Sequence, residues 1–192
     1  MSVAIALLDG CVLYPAPLRD FFMRLATTGS YQLRWSAMIH DEWIRNVRVN
    51  RPDLSLTHLE RTRALMDLHV EDALVEGYET IIPTLSLPDA DDRHVLAAAI
   101  VGQCDTIITF NLKDFPQEKL APYRIEAVHP DVFVMRCIEV SVDTVYRTVL
   151  RQQQALTNPT KTLEEVFSVL EQNGLRDTVR MLRAHHINIG LP

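Results

Sequence analysis

The sequence has few cysteines and no long apolar run, and both shortages limit what the chain encodes. Its three cysteines show neither a CxxC pair nor the Cys/His spacing of a zinc site, so we expect reduced thiols at Cys11, Cys104 and Cys137. No apolar stretch reaches the ~20 residues that cross a bilayer, and the chain does not open with a basic segment followed by an apolar one. We therefore expect a cytoplasmic protein with no membrane partner.

Several common enzyme motifs are also missing. The chain has no Walker A loop, no GxGxxG fingerprint, no GxSxG elbow and no HExxH pair. The segment LLDGCVL is similar to the DxDGT loop of phosphatases, but Leu7 stands where that loop needs its nucleophilic Asp. His40, His94 and His129 are too scattered to indicate a transition-metal site. These absences leave carboxylate chemistry as the main candidate.

The charge balance gives no overall attraction to nucleic acid. The chain has 25 acidic against 19 basic residues and a net charge of −6. Any nucleic-acid binding would need a local basic patch, and two arginine stripes are available, one just past Glu42 and one near the C-terminus: Arg45, Arg48 and Arg51, and Arg176, Arg180 and Arg183. Each stripe taken alone is more typical of a solvated helix face.

Strand and helix patterns alternate along most of the chain. The predicted strands are 1–8, 31–35, 106–110 and 123–128, the predicted helices are 18–29, 36–51, 56–75 and 89–102, and 81–87 is read as a loop or an edge strand. Such alternation favours a parallel sheet covered by helices on both faces. Only helices are predicted after Glu139, including one with a Thr162 to Glu165 capping box. We predict two parts, residues 1–138 and a helical extension, 139–192.

Four acidic residues are spread along the sheet-forming part of the chain at positions that one sheet can bring together: Asp9, Glu42, Asp92 and Asp114. Each has an ordinary structural explanation, such as a turn after a strand, a helix boundary or a helix N-terminus. The set is more informative, because four clustered carboxylates repel one another unless a hard cation neutralises them. The pattern indicates a site for a divalent metal ion and phosphodiester chemistry.

The sequence resembles the PIN-domain ribonucleases, of the kind found as VapC-type toxins in bacterial toxin–antitoxin pairs. The similarity covers about residues 3–134, and its most specific segments are LLDGCVLYPAPLRD, WSAMIHDEW, DADDRHVLAAAI and IITFNLKDF. The tail after Glu139 is similar to a helical C-terminal region found in one subgroup of these toxins.

The resemblance implies a fold and a set of site residues. The fold would be an α/β class, three-layer α/β/α sandwich with a central parallel sheet and a C-terminal helical extension. Asp9, Glu42, Asp92 and Asp114 would bind Mg²⁺ or Mn²⁺, with Thr109 and Asn111 as the accompanying polar pair. Among Asp89, Asp91 and Asp92, the last keeps the family's spacing to the Ala-rich helix. The family usually has Asn, Ser or Thr two residues after the first acid, and this sequence has Cys11.

The resemblance also implies an activity and partners. We expect a metal-dependent endoribonuclease that acts on RNA, is inhibited by a cognate antitoxin protein and forms a homodimer, with the apolar helices around 18–25 and 56–75 as candidate interfaces. Two other functions remain open. One is that of a catalytically silent PIN-fold RNA-binding protein, and the other is that of a phosphohydrolase of small phosphate esters.

Overall fold

The computed structural model describes residues 3–190. Its centre is a parallel sheet of five strands in the order β3-β2-β1-β4-β5, formed by β1 Ile5–Leu8, β2 Gln32–Ser36, β3 Leu74–Val75, β4 Thr106–Ile108 and β5 Glu126–Val128. The central strand β1 is an almost fully buried apolar run, IALL, as strands covered on both faces are. The predicted parallel sheet is confirmed.

Nine α-helices within residues 3–190 flank the sheet and form the tail. They are α1 Gly10–Leu13, α2 Ala16–Ala26, α3 Ala37–Asn50, α4 Leu56–His69, α5 Arg93–Val101, α6 Gln117–Leu120, α7 Pro130–Ala155, α8 Leu163–Gln172 and α9 Arg176–Asn188. Helix α5 packs on the three strands β1, β2 and β4, while α2 lies between β2 and α7. This arrangement confirms the α/β class, with helices flanking a parallel sheet.

Helix α3 begins and ends where the sequence predicts. Ser36 caps its first turn, because its hydroxyl oxygen accepts a hydrogen bond from the Ile39 amide at 3.3 Å. The helix ends at Asn50, two residues before Pro52, as expected from the restriction that proline places on the preceding residue. This short-range chemistry fixes the helix that carries Glu42.

Several predicted boundaries are wrong: the strand predicted over 123–128 begins at Glu126, and the helix predicted over 18–29 is Ala16–Ala26. Three further segments differ for reasons that the structure shows. The helix predicted over 56–75 ends at His69, and the last two residues of the predicted range, Leu74 and Val75, form β3. The segment predicted as a loop or edge strand, 81–87, lies mostly in a 3-10 helix, Glu79–Thr84. Helix α5 begins at Arg93 instead of residue 89, because the Asp89 carboxylate accepts a hydrogen bond from the Asp91 amide at 2.9 Å and closes a turn.

A buried carboxylate at the start of α7 forms hydrogen bonds to the first turn of α9. Asp131, at the start of α7, accepts hydrogen bonds from the Asp177 and Thr178 amides at 2.8 and 2.9 Å. These amides belong to the first turn of α9, so Asp131 caps that helix from a distance of 46 residues in sequence.

Helix α7 itself is broken at Ser141, whose φ and ψ are −160° and 100°. Whether the chain divides at 138 stays a prediction.

The two helices predicted as interface surfaces differ in exposure. The apolar residues of α2 are buried in the chain's own core, so this helix has no free apolar stripe for a partner: Leu18, Phe21, Phe22 and Leu25. Helix α4 keeps exposed leucines at Leu56, Leu65 and Leu68. In the part of the chain that the structure describes, no helix combines the length and apolar character needed to span a membrane.

Candidate metal centre

The first site residue, Asp9, lies where two central strands end. The parallel register pairs Leu8 of β1 with Ile108 of β4, so Asp9 and Thr109 follow side by side. The Asp9 carboxylate is 2% exposed and accepts hydrogen bonds from the Thr109 hydroxyl at 2.6 Å and from the Cys11 thiol at 3.1 Å. Burial raises the pKa of Asp9, these two hydrogen bonds oppose the rise, and the nearby Glu42 charge adds to it.

Glu42 reaches Asp9 through a gap that only glycine leaves open. A Cβ atom on Gly10 would lie 2.8 Å from the Glu42 carboxyl carbon and 2.9 Å from each of its oxygens. At such distances a Cβ at position 10 would force the Glu42 carboxylate to move, so the absence of a Cβ is what lets the carboxylate take this place. The α3 helix thus places its acid directly against the backbone that follows Asp9.

Asp92 has a strongly raised pKa. Burial raises its pKa from 3.8 to about 7, and the negative charges of its neighbours add to the rise: Asp9, Asp89, Asp114 and Glu42. Asp92 therefore lies within electrostatic reach of the other three predicted ligands. Asp91 is exposed, and the Asp89 carboxylate accepts a hydrogen bond from its own turn. Asp92 lines the cleft together with Asp89 and Asp91, so the choice of Asp92 as the metal ligand stays a prediction.

The predicted polar pair is divided in its roles. Thr109 is fully buried and binds Asp9, while the Asn111 amide nitrogen of the backbone donates to the Thr109 hydroxyl oxygen at 2.9 Å. The Asn111 side chain is exposed and makes no hydrogen bond to any part of residues 3–190. Thr109 orients the first acid, and Asn111 acts on Thr109 through its main chain.

Cys11 occupies the position where a hydroxyl or amide is usual, and it still supplies a hydrogen bond. Its sulfur donates to Asp9 and accepts from the Phe110 amide at 3.4 Å. Burial and the charge of Asp9 raise the thiol pKa well above its ordinary value, so Cys11 stays protonated and remains a donor. The thiol therefore helps to hold the Asp9 carboxylate.

Sequence reasoning missed one residue of the site, His94. It is 8% exposed, its Nε2 lies 3.6 Å from Glu42 Oε2, and its Nδ1 is buried without a partner among the described residues. The sequence does contain a signal for His94, because it follows Asp92 by two residues and lies in the first turn of α5. On the sequence alone, His94 was considered only together with the distant His40 and His129, so this signal was not used. The imidazole forms the wall of the site behind Glu42.

Three of the residues described above, Glu42, Asp92 and His94, border an open cleft of about 520 Å³. It is lined by Met38, Asp41, Glu42, Arg45, Asp89, Asp91, Asp92 and His94. Within residues 3–190 no three acidic, histidine or cysteine side chains are close enough together to enclose an ion as they stand. The predicted donor set nevertheless fits a hard divalent cation, because it consists of carboxylates. Burial raises the pKa of Asp92, and repulsion from the other carboxylates raises it further, so a cation would relieve this repulsion.

The two arginine stripes differ in how their charge is compensated. Near the C-terminus, Arg180 pairs with Asp177 at 2.9 Å, and Arg183 contacts Glu164 and Glu171 at 2.5 and 3.0 Å. In the stripe after Glu42, Arg51 is the residue that has a carboxylate partner within residues 3–190, and Arg45 lines the cleft. Local positive charge is therefore available beside the acids.

Comparison with known proteins agrees with the fold. The family model described as PIN domain matches residues 5–113, and that described as VapC50 C-terminal domain matches residues 130–184. A Mycobacterium tuberculosis (strain ATCC 25618 / H37Rv) protein named "Putative ribonuclease VapC50" is 34% identical over 98 residues, 51% of this chain and 57% of that protein. The matched region thus spans little more than half the length of this relative, and no solved structure matches. Because the PIN-domain match covers more than half of the chain, the protein belongs to the PIN-domain family.

Proposed function

We propose that this protein is a metal-dependent endoribonuclease that hydrolyses RNA phosphodiester bonds and serves as the toxin of a toxin–antitoxin pair. The observation that carries the proposal is the raised pKa of Asp92, which reflects its burial and the nearby negative charges of four other acids, Asp9, Asp89, Asp114 and Glu42. Family membership and the name of the relative support the same activity.

Asp9, Glu42, Asp92 and Asp114 would hold one or two Mg²⁺ or Mn²⁺ ions. When bound in such a site, these ions lower the pKa of water and neutralise charge on the phosphate under attack. Carboxylates are the ligands that both ions accept readily. In the metal-free protein Asp92, with its pKa of about 7, holds a proton near neutral pH, so we expect metal binding to release it.

The remaining site residues orient the acids. Thr109 and Cys11 donate to the same Asp9 oxygen and fix the rotamer of that carboxylate. Gly10 leaves room for Glu42, and His94 limits its movement from the other side. Arg45, at the edge of the cleft, is positioned to contact a substrate phosphate, which would give affinity without sequence choice.

A cleavage assay tests the activity. A pool of structured RNAs is incubated with native protein in Mg²⁺, Mn²⁺ or EDTA, alongside Asp9→Asn, Asp92→Asn and the control Asp91→Asn, which removes the same charge from an exposed site in the same turn. We expect cleavage with either ion, none in EDTA, none by the first two variants and near-native cleavage by the control. Cleavage that persists in EDTA contradicts the proposal.

The same assay separates the two alternatives. RNA binding without metal-dependent cleavage by folded native protein indicates a silent PIN-fold RNA-binding protein. Hydrolysis of a chromogenic phosphate ester with no action on RNA indicates a small-molecule phosphohydrolase.

The partners need a separate test. We propose a cognate antitoxin protein and a homodimer. Two exposed leucines on α4, Leu65 and Leu68, supply apolar surface for either contact. Purification with and without the product of the neighbouring gene, followed by mass measurement in solution, tests both: a stable complex and a mass of two chains are expected, and a lone monomer under both conditions contradicts them.

A further inference from the structure

A second groove, of about 460 Å³, shares one lining residue with the metal cleft, Arg45. The second groove lies between the end of α3 and the start of α4, and it is lined by Arg45, Arg48, Val49, Pro52, Leu54, Ser55 and Leu56. Arg45 lines both spaces. Helix α3 carries Glu42, Arg45 and Val49 three and seven residues apart, a spacing that sets them on one face. The second groove therefore adjoins the acid cleft at Arg45.

The second groove carries positive charge that the protein leaves uncompensated. Among residues 3–190, neither Arg45 nor Arg48 has a carboxylate partner, whereas Arg51, at the end of the same helix, forms a bidentate pair with Asp53 at 2.8 and 2.7 Å. The chain as a whole has a net charge of −6, so the positive charge of Arg45 and Arg48 is a local feature of this groove. Their charge complements a ligand whose phosphates lie a short distance from the acids.

Apolar side chains form the rest of the groove. Val49 is 76% exposed and Leu56 is 44% exposed, which is unusual for large aliphatic residues in the same groove. Pro52 and the partly buried Leu54 extend this surface. A flat apolar ligand group would cover it, and a nucleotide base has that shape.

We propose that the second groove binds unpaired nucleotides next to the scissile phosphate, with Arg45 and Arg48 on phosphates and a base against Val49 and Leu56. This inference rests on the proposed function, which puts the scissile phosphate at the acids. The six-residue separation of Glu42 and Arg48 corresponds to ~9 Å of helix, a reach of about one or two nucleotides. The strand must be single, because the bases of an RNA duplex are stacked and cannot turn their faces to a protein wall.

The test measures binding without cleavage. The affinity of a fluorescein-labelled, mixed-sequence single-stranded RNA of about twelve nucleotides is followed by fluorescence anisotropy in EDTA over a range of salt concentrations. The native protein is compared with Arg45→Ala/Arg48→Ala, with Val49→Ser/Leu56→Ser, and with the control Arg51→Ala, which removes the same charge from a guanidinium already paired with Asp53. Circular dichroism melting checks the fold of each variant.

Each variant has its own expected result. Loss of two phosphate contacts lowers the slope of log K against log salt by ~1.4, at ~0.7 for each contact with a single strand. Val49→Ser/Leu56→Ser weakens binding about fivefold with an unchanged slope, the factor that losing roughly 40 Å² of apolar contact predicts. Arg51→Ala keeps the native slope. A duplex of the same sequence competes more weakly than the single strand.

Several outcomes overturn the inference. The inference is wrong if the native protein binds the RNA no more tightly than Arg45→Ala/Arg48→Ala does. It is also wrong if Arg51→Ala lowers the slope of log K against log salt as much as Arg45→Ala/Arg48→Ala does. Equal competition by duplex, or a polyglutamate peptide that binds with the same dependence on Val49 and Leu56, also contradicts it. Because the assay runs in EDTA, its result is independent of catalysis: native protein that cleaves RNA but fails this test keeps the proposed function and loses only the groove.

Discussion

Replacing Asp92 by Asn is expected to stabilise the metal-free protein while it abolishes cleavage. The charged form of Asp92 is disfavoured in the folded chain by burial and by the neighbouring acids, so the folded state pays a penalty when this group ionises. Asn keeps nearly the same shape and carries no charge. The variant removes that penalty together with a ligand for the proposed ion.

The magnitude follows from the pKa of Asp92. Its rise from 3.8 to about 7 corresponds to ~4 kcal/mol at ~1.4 kcal/mol for each pKa unit. Asp92 is only half-buried, and water screens its interactions, so we expect a gain of ~1–2 kcal/mol in the free energy of unfolding. The sign is set by linkage: the folded state holds its proton up to a higher pH than the unfolded chain, so stability from this group falls as pH rises.

The assay is urea unfolding of both proteins in EDTA at several pH values. Below the unfolded pKa of 3.8 both states are protonated, so the two proteins should differ little; the gap should grow between that pH and about 7, then stay constant. Comparing the proteins at each pH cancels the titration of all other groups. Added Mg²⁺ or Mn²⁺ should stabilise the native protein more than the variant and narrow the gap.

Two results would refute this reasoning. One is a variant that is less stable than native protein in EDTA at about pH 8, where Asp92 is ionised. The other is a gap that does not depend on pH, which would assign the effect to packing. Asp91→Asn serves as the matched control, because it removes the same charge from an exposed position and should change stability by less than ~0.5 kcal/mol.

Three further substitutions test the arrangement around the acids and the tail. Gly10→Ala should displace the Glu42 carboxylate and lower metal affinity by ~10–100-fold with little loss of stability, as measured by calorimetric titration; native affinity would contradict the close approach. Thr109→Val removes the 2.6 Å hydrogen bond to Asp9 and should lower metal affinity about tenfold, while Thr109→Ser restores it; equal affinity in both variants would exclude an orienting role. Asp131→Ala leaves the first amides of α9 without their acceptor and should cost ~2–3 kcal/mol in urea unfolding; a loss below ~0.5 kcal/mol would mean that water replaces the cap.

The order of the elements could be predicted because it depends on short-range patterns. The apolar run at β1, the Ser36 cap and the proline after α3 each act within a few residues, and the structure agrees with them. The boundaries that failed depend on distant partners. Leu74 and Val75 form a strand only because they pair with Trp35 and Ser36 of β2, a contact that no local pattern records.

The sequence by itself determined the α/β class, the parallel sheet and the chain positions of the four acids, since strand and helix periodicity and turn residues are local properties. Only the tertiary structure decided what surrounds those acids. The pairing of β1 with β4 sets Asp9 beside Thr109, 100 residues away, and the packing of α5 against α3 sets His94 beside Glu42. Likewise, Arg51 is paired and Arg45 is free although both lie on one predicted stripe. Burial, pKa and charge compensation depend on residues that are distant in sequence, so they appear only once the chain is folded.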